Sequence, residues 1–136
     1  ILILFVSVFQ SCMQNNFMKT YSAATAIIRE IDEVTEGTVD YPIMISGDVD
    51  LGNEELYSIV KGTVAHYGMA WSDINGRNSC WRAIFEIYFG REYNVCSREE
   101  CEQIMAGTTY QEMPAYPKEG YVRRIGDSVV IKLDES

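Results

Sequence analysis

The chain has 136 residues, enough for one domain, and 47% of them are hydrophobic, which excludes an intrinsically disordered chain. Twenty Asp and Glu against eleven Lys and Arg leave a formal charge of -9, so a nucleic-acid partner that needs a basic face is excluded. One His and four Cys, with no C-x-x-C pair, argue against a zinc site of the usual composition.

The first nine residues, Ile1 to Phe9, are apolar apart from Ser7, with neither an initiating Met nor a basic flank. The run stops at Gln10, short of the ~20 apolar residues that a membrane-spanning helix needs. It therefore reads as the last part of a longer apolar segment, either the end of a transmembrane helix or the apolar core of a signal peptide. A buried core strand is the alternative. Residues 1–12 are taken as this membrane-exit segment and 13–136 as a single α/β domain. In the signal-peptide reading, Cys12 after the small Ser11 is a lipidation site, although Phe9 and Gln10 fit such a site poorly.

A polar collar, Gln14, Asn15 and Asn16, precedes an amphipathic pattern. Tyr21, Ala24, Ile27, Ile28, Ile31 and Val34 recur at spacings of three and four, which predicts a helix stopped by Gly37. That helix is free to run on from the membrane segment. Pro42 to Ser46 predicts a short buried strand ending at Gly47. Asn53, Glu54, Lys61 and Gly62 carry the cap and charge signals of a helix over 54–61. Thr63 to Trp71 suits a strand except for Gly68, and 72–76 is a turn cluster. Asn78 or Ser79 then caps a helix with Trp81, Ile84, Phe85 and Tyr88 on its apolar face and Gly90 at its end.

Ser97 and Glu100 form a capping box, with Ser97 as N-cap and Glu100 three residues on. Cys96 and Cys101 then occupy the two positions whose side chains meet in a hydrophobic staple. A Cys96–Cys101 disulfide is sterically reasonable there, and the helix is expected to end at Gly107. After a turn-rich stretch from Met113 to Gly120, the runs Tyr121–Ile125 and Ser128–Leu133 flank Gly126-Asp127, a hairpin signal. There is no internal repeat and no low-complexity linker. The predicted fold is α/β: a small mixed sheet of one buried strand and a C-terminal hairpin, covered by about four helices.

Candidate chemistry is sparse. Asp48 and Asp50 follow a buried strand, where α/β sheets place ligands, and paired carboxylates there bind a hard cation or act as acid and base. The preferred reading has Asp48 capping loop amides and Asp50 facing solvent, because no third carboxylate or His stands at a fixed distance. Arg77 and Arg82 with Trp71 and Trp81 offer an aromatic and cationic surface for sugar or phosphate. Packing of both Trp residues in the core is preferred. His66, beside Tyr67, reads as a structural residue. His66, Cys80, Cys96 and Cys101 are too irregularly spaced for a metal centre, and a disulfide plus a core thiol is preferred. No nucleophile elbow and no phosphate loop is present. No catalytic residue, metal or cofactor is assigned.

Three stretches resemble the C-terminal segment of bacterial polytopic glucosyltransferases of the O-antigen-conversion type (type II). The first is Ile1 to Phe9 passing through Asn15 and Asn16 into Ile27-Ile28-Arg29-Glu30-Ile31. The second is Tyr41-Pro42-Ile43-Met44-Ile45-Ser46-Gly47. The third and most specific is Met113-Pro114-Ala115-Tyr116-Pro117-Lys118-Glu119-Gly120-Tyr121-Val122, followed by Val129-Val130-Ile131-Lys132-Leu133. Met69-Ala70-Trp71-Ser72-Asp73 also resembles the mid-domain Trp segment.

The resemblance implies a bacterial membrane location with this domain on the extracytoplasmic side. It implies a parent enzyme that moves glucose from a polyprenyl-phosphate donor onto a surface polysaccharide. Its acidic catalytic residues are expected in loops between earlier membrane helices, so none is carried onto this chain. The implied partners are the rest of the chain's own membrane-embedded part and a glycan or lipid-linked sugar. Asp48, Asp50, Trp71, Asp73 and Arg77 are the candidate substrate-binding residues. An outward-facing domain also permits the Cys96–Cys101 disulfide. The rival readings are an exported or lipid-anchored binding module held by Cys12, and a small metal-dependent hydrolase using Asp48 and Asp50.

Overall fold

The computed structural model describes residues 1–38, 40–47, 49 and 79–135. The predicted helix over 54–61, the 63–71 stretch and the turn cluster at 72–76 lie outside the described residues. So do Asp48, Asp50, His66, Trp71, Asp73 and Arg77. Among the described residues, four helices and three strands follow in chain order: α1 Leu2–Thr35, β1 Ile43–Ser46, α2 Ser79–Phe89, α3 Arg98–Ala106, α4 Thr108–Gln111, β2 Val122–Ile125 and β3 Ser128–Lys132. The α/β class, the single strand and the hairpin are as the sequence predicts.

The sheet order is β1-β3-β2. β1 runs parallel to β3, with Ile43 opposite Val129 and Ser46 opposite Lys132. β2 runs antiparallel to β3, with Val122 opposite Ile131 and Ile125 opposite Ser128. The last strand in the chain is thus the central one, and all five of its residues are buried. A strand covered on both faces reads as a near-continuous apolar run, as Val129-Val130-Ile131 does.

Alternation along β1 and β3 divides the core into two layers. Ile43, Ile45, Val129 and Ile131 pack with Ala23, Ala24, Ile27 and Ile31 of α1 and with Trp81 and Phe85 of α2. Met44 and Val130 point the other way, onto Cys96, Cys101, Tyr110 and Met113. The sheet therefore lies between α1 and α2 on one face and the α3–α4 pair on the other. Trp81 is 1% exposed, which bears out its core placement. Truncating Phe85, fully buried, to Ala is expected to cost ~3–5 kcal/mol.

α1 is one unbroken helix of 34 residues, about 51 Å long at 1.5 Å per residue. It runs through the polar collar without interruption, as the sequence allowed. Its buried ladder is Asn16, Thr20, Ala23, Ala24, Ile27, Ile28, Ile31 and Thr35. This corrects the predicted stripe, because Tyr21 is exposed and Val34 only partly buried, while Ala23 joins Ala24 on the buried face. The helix ends at Thr35, with Glu36 in the left-handed conformation at φ 54 and Gly37 following at φ 77. Gly37 therefore marks the stop as predicted, but a Glu shares the strained turn. Asp32 then holds Arg91 by two hydrogen bonds of 2.9 and 2.8 Å, tying α1 to the segment after α2.

α3 begins as predicted. Ser97 Oγ accepts from the Glu100 amide at 3.3 Å, and the Ser97 amide donates to Glu100 Oε2 at 2.7 Å. It ends at Ala106 with Gly107 as its C-cap. The single turn α4 is not predicted; its sequence, Thr-Thr-Tyr-Gln, has no helical period over four residues. On α2, Tyr88 is exposed rather than core-facing, which corrects its assignment to the apolar face.

Candidate functional site

Two places on the described surface carry side chains of functional interest. The first lies at the carboxyl ends of the parallel strands β1 and β3, the position α/β sheets use for ligands. Ser46 and Lys132 are the last residues of those strands and are register partners. Ser46 Oγ shares a 2.7 Å hydrogen bond with Tyr110 OH and lies 3.5 Å from the Ile131 carbonyl. Lys132 Nζ donates to the Met113 carbonyl at 3.0 Å and stands 3.7 Å from Glu135 Oε2. It also sits 5.2 Å from the centre of the Tyr110 ring. All three residues are at least 92% buried.

A Ser, a Tyr and a Lys in one cluster suggest acid–base chemistry, but their partners argue for a structural role. Each hydroxyl and the ammonium already holds an internal partner, and all three side chains are buried. The cluster fastens the sheet to the segment before it. Tyr116 donates its amide to the Lys132 carbonyl at 2.9 Å, and Leu133 donates to the Ser46 carbonyl at 2.8 Å. Met113 and Ala115 are buried, and Tyr116 meets Tyr121 edge-on at 5.1 Å. The Tyr116–Pro117 peptide is cis. The Met-Pro-x-Tyr-Pro-x-x-Gly stretch thus wraps the end of β3. A shallow concavity of about 440 Å³ opens outside it, lined by Tyr116, Pro117, Lys118 and Leu133 to Glu135.

Sequence reasoning looked at this strand end through Asp48 and Asp50 and missed Ser46, Tyr110 and Lys132. One signal was available: Lys132 interrupts the apolar run Val129 to Leu133 at a position where the strand is covered on both sides.

Cys96 and Cys101 are both fully buried beside the capping box. They are thiols in the structure, and the Cys101 thiol points at the Cys96 carbonyl at 4.0 Å. Burial pushes the Cys96 thiol above the ordinary range, only partly offset by hydrogen bonding from Ser128. Such a thiol is a poor nucleophile. Among the described residues, no group of three His, Cys, Asp or Glu could hold a metal ion.

The second place is the outer face of α1 and α2. At the start of α1 the apolar side chains of Leu2, Ile3 and Leu4 are exposed, Ile3 at 83% and Leu4 at 68%. No helix among the described residues is long and apolar enough to cross a membrane. Further along, an aromatic cluster spans the two helices. Phe17 and Tyr88 meet edge-on at 5.6 Å, Tyr21 and Tyr88 at 6.2 Å, and Tyr21 stacks on Phe89 at 5.0 Å. Phe17, Tyr21 and Tyr88 remain about half exposed, and Ile87 beside them is 73% exposed. From Phe17 a shallow groove of about 500 Å³ follows α1 past Ser22 and Thr25 to Arg29.

Charge is segregated along the chain. Residues 1–29 contain no Asp or Glu and carry only Lys19 and Arg29, so all twenty acidic residues lie from Glu30 onward. Comparison with protein-family models, with curated proteins and with solved structures finds no match to this chain.

Proposed function

We propose that the chain is the C-terminal extracytoplasmic accessory domain of a bacterial membrane glycosyltransferase. The parent enzyme transfers glucose from a polyprenyl-phosphate donor to a surface polysaccharide, and this domain is not catalytic alone. The observation that carries the reading is α1. A helix apolar on all sides in its first turns is stable only in apolar surroundings, and the same helix runs unbroken into the domain core. Its N-terminal end belongs in lipid and its C-terminal end in protein.

Two further features support the reading. The Met-Pro-x-Tyr-Pro-x-x-Gly stretch that carries the family resemblance is structural, clamped to the end of the central strand. The polar groups at the strand ends are occupied by one another, consistent with a supporting domain whose chemistry is elsewhere in its chain. Its partners are then its own membrane-embedded part and, through Asp48, Asp50, Trp71, Asp73 and Arg77, a glycan or lipid-linked sugar. An extracytoplasmic position exposes the Cys96–Cys101 pair to oxidation to a disulfide.

The test is the native gene upstream of Ile1. Repeated apolar spans of about 20 residues each are expected there. A start codon within about 30 residues, the length of a signal peptide, overturns the proposal. It would instead favour an exported binding module, with Cys12 as its anchor.

A further inference from the structure

We propose that the face formed by Phe17, Tyr21, Ile87 and Tyr88 is an interfacial seat on which the domain rests against an uncharged phospholipid bilayer, beside the point where α1 leaves it. The inference rests on α1 being a membrane-exit helix and adds the surface by which the folded body touches the lipid.

Three observations converge on lipid as the occupant. The first is continuity. The membrane-exit segment ends at Cys12, and Phe17 lies about 7.5 Å further along the axis and Tyr21 about 13.5 Å. The headgroup layer on one side of a bilayer is ~5–8 Å deep. An upright α1 thus places Phe17 in that layer. Tyr88 and Ile87 project from α2, which packs against α1. With helix axes about 10 Å apart, a tilt of roughly 30° toward α2, inside the normal range for membrane helices, lowers these two residues by about 5 Å into the same layer.

The second observation is side-chain chemistry. Tyr rings with exposed edges are the residues that gather at headgroup depth, because one end is apolar and the other hydrogen-bonds. Two of the cluster's rings are tyrosines and both are about half exposed. The third is charge. A chain of net charge -9 is repelled by anionic lipid, yet its first 29 residues hold two cations and no acid. α2 adds one of each, Arg82 and Glu86. The helix segments that form this face therefore carry little acid, and a zwitterionic surface is the one it suits.

The experiment uses the full chain with phosphatidylcholine vesicles whose acyl chains are brominated near the headgroup. Wild-type chain is expected to float with the vesicles. A Tyr88→Trp variant is expected to show quenching beyond the wild-type background from its native Trp residues. A Phe17→Ser, Ile87→Ser, Tyr88→Ser variant is expected to partition on the order of tenfold more weakly while keeping the wild-type far-ultraviolet circular dichroism at the assay temperature, because about three apolar side chains no longer leave water. Flotation of the wild type without quenching at position 88 overturns the seat while leaving the membrane-exit helix standing. Failure of the wild type to float overturns the membrane-exit helix itself and the seat with it. A wild-type dimer in the absence of lipid that the triple variant converts to monomer assigns the face to a second copy and also overturns the seat.

Discussion

Gly47 separates the last residue of β1 from Asp48, and its surroundings give a substitution with a calculable cost. Its φ is +80, and a Cβ placed there would lie 2.5 Å from the Asp134 carboxyl and 2.8 Å from the Asp134 amide nitrogen. A side chain in the left-handed region costs about 1–2 kcal/mol. Reduced freedom of the unfolded chain returns about 0.4–1 kcal/mol for Gly→Ala. The Asp134 side chain can rotate away, but its backbone amide is fixed by the chain that follows β3. The strand end must therefore shift, at about 1–3 kcal/mol for overpacking. Gly47→Ala is expected to destabilise by about 2–4 kcal/mol in total.

Gly37, Gly90 and Gly126 supply the control. Each has positive φ, at 77, 63 and 60, and each would place a Cβ in open space. Their Ala variants meet only the conformational cost, about 1 kcal/mol or less. The assay is urea unfolding of all four single variants in a mild detergent, read by far-ultraviolet circular dichroism and fitted with a common slope. Adding Asp134→Ala to Gly47→Ala should recover part of the loss, the part due to the carboxyl. If Gly47→Ala unfolds within about 0.5 kcal/mol of the three controls, the close approach of Asp134 to β1 is wrong. The placement of the tail across the strand ends would then be wrong too.

Other outcomes follow from the same structure. The Tyr121 hydroxyl is buried without a hydrogen-bond partner among the described residues, and burial, aided by Glu30 and Tyr116, pushes its pKa up to about 12. The unfolded phenol ionises near 10, so ionisation favours the unfolded chain as the pH rises above 10, and stability falls between pH 10 and 12. Tyr121→Phe is therefore expected to raise stability by about 1 kcal/mol at neutral pH and to flatten the alkaline limb of a denaturation series; a steeper limb would refute this. Ser97→Ala should cost about 1 kcal/mol by removing the cap of α3. Glu100, held below the usual carboxylate range chiefly by the Ser97 amide, contributes above its unfolded pKa and loses that contribution on acidification, so Glu100→Gln should weaken the acid dependence of melting. Glu36→Gly is expected to raise stability by about 0.5–1 kcal/mol, since it relieves a left-handed Glu and removes a carboxylate from the negative end of a helix; a lower melting temperature would count against that geometry. Chain recovered from the oxidising side of a membrane should carry a Cys96–Cys101 link, seen as a mass lower by two hydrogens. Reduced chain should resist alkylation at both sites until it is unfolded.

Much of the fold is legible in local chemistry. The capping box at Ser97 and Glu100 is legible because its two hydrogen bonds are made within four residues. The hairpin at Gly126 is legible because a two-residue turn demands positive φ, which glycine supplies. β1 is legible because a strand buried on both faces must be apolar throughout. What failed depends on distant partners. Tyr21 and Tyr88 share the helical period of the core residues, but the stacked helices leave both at the rim, where period alone does not distinguish rim from core. Lys132 in an apolar strand becomes intelligible only when Tyr110, Met113 and Glu135 are seen around its ammonium. Those partners come from α4, the loop after it and the chain beyond β3. The candidate residues Asp48, Asp50, Trp71, Asp73 and Arg77 lie outside the described residues, so the strand-end site is defined by the side chains the sequence did not single out.

The central position of β3 bears on how the chain is made. β1 emerges early and waits through more than 80 residues of synthesis for the strand it pairs with among the described residues. Until Ser128 to Lys132 arrive, Met44 and Ile45 lack the β3 ladder, and the apolar face of α1 lacks the central strand it packs on. Closing so long a loop is slow, and the unpaired strand is exposed meanwhile. Premature termination before Ser128 would remove the central strand of the sheet rather than an edge, leaving β1 with the isolated Ile43–Val95 bridge as its pairing among the described residues. Folding of the body therefore reports that translation has passed Lys132.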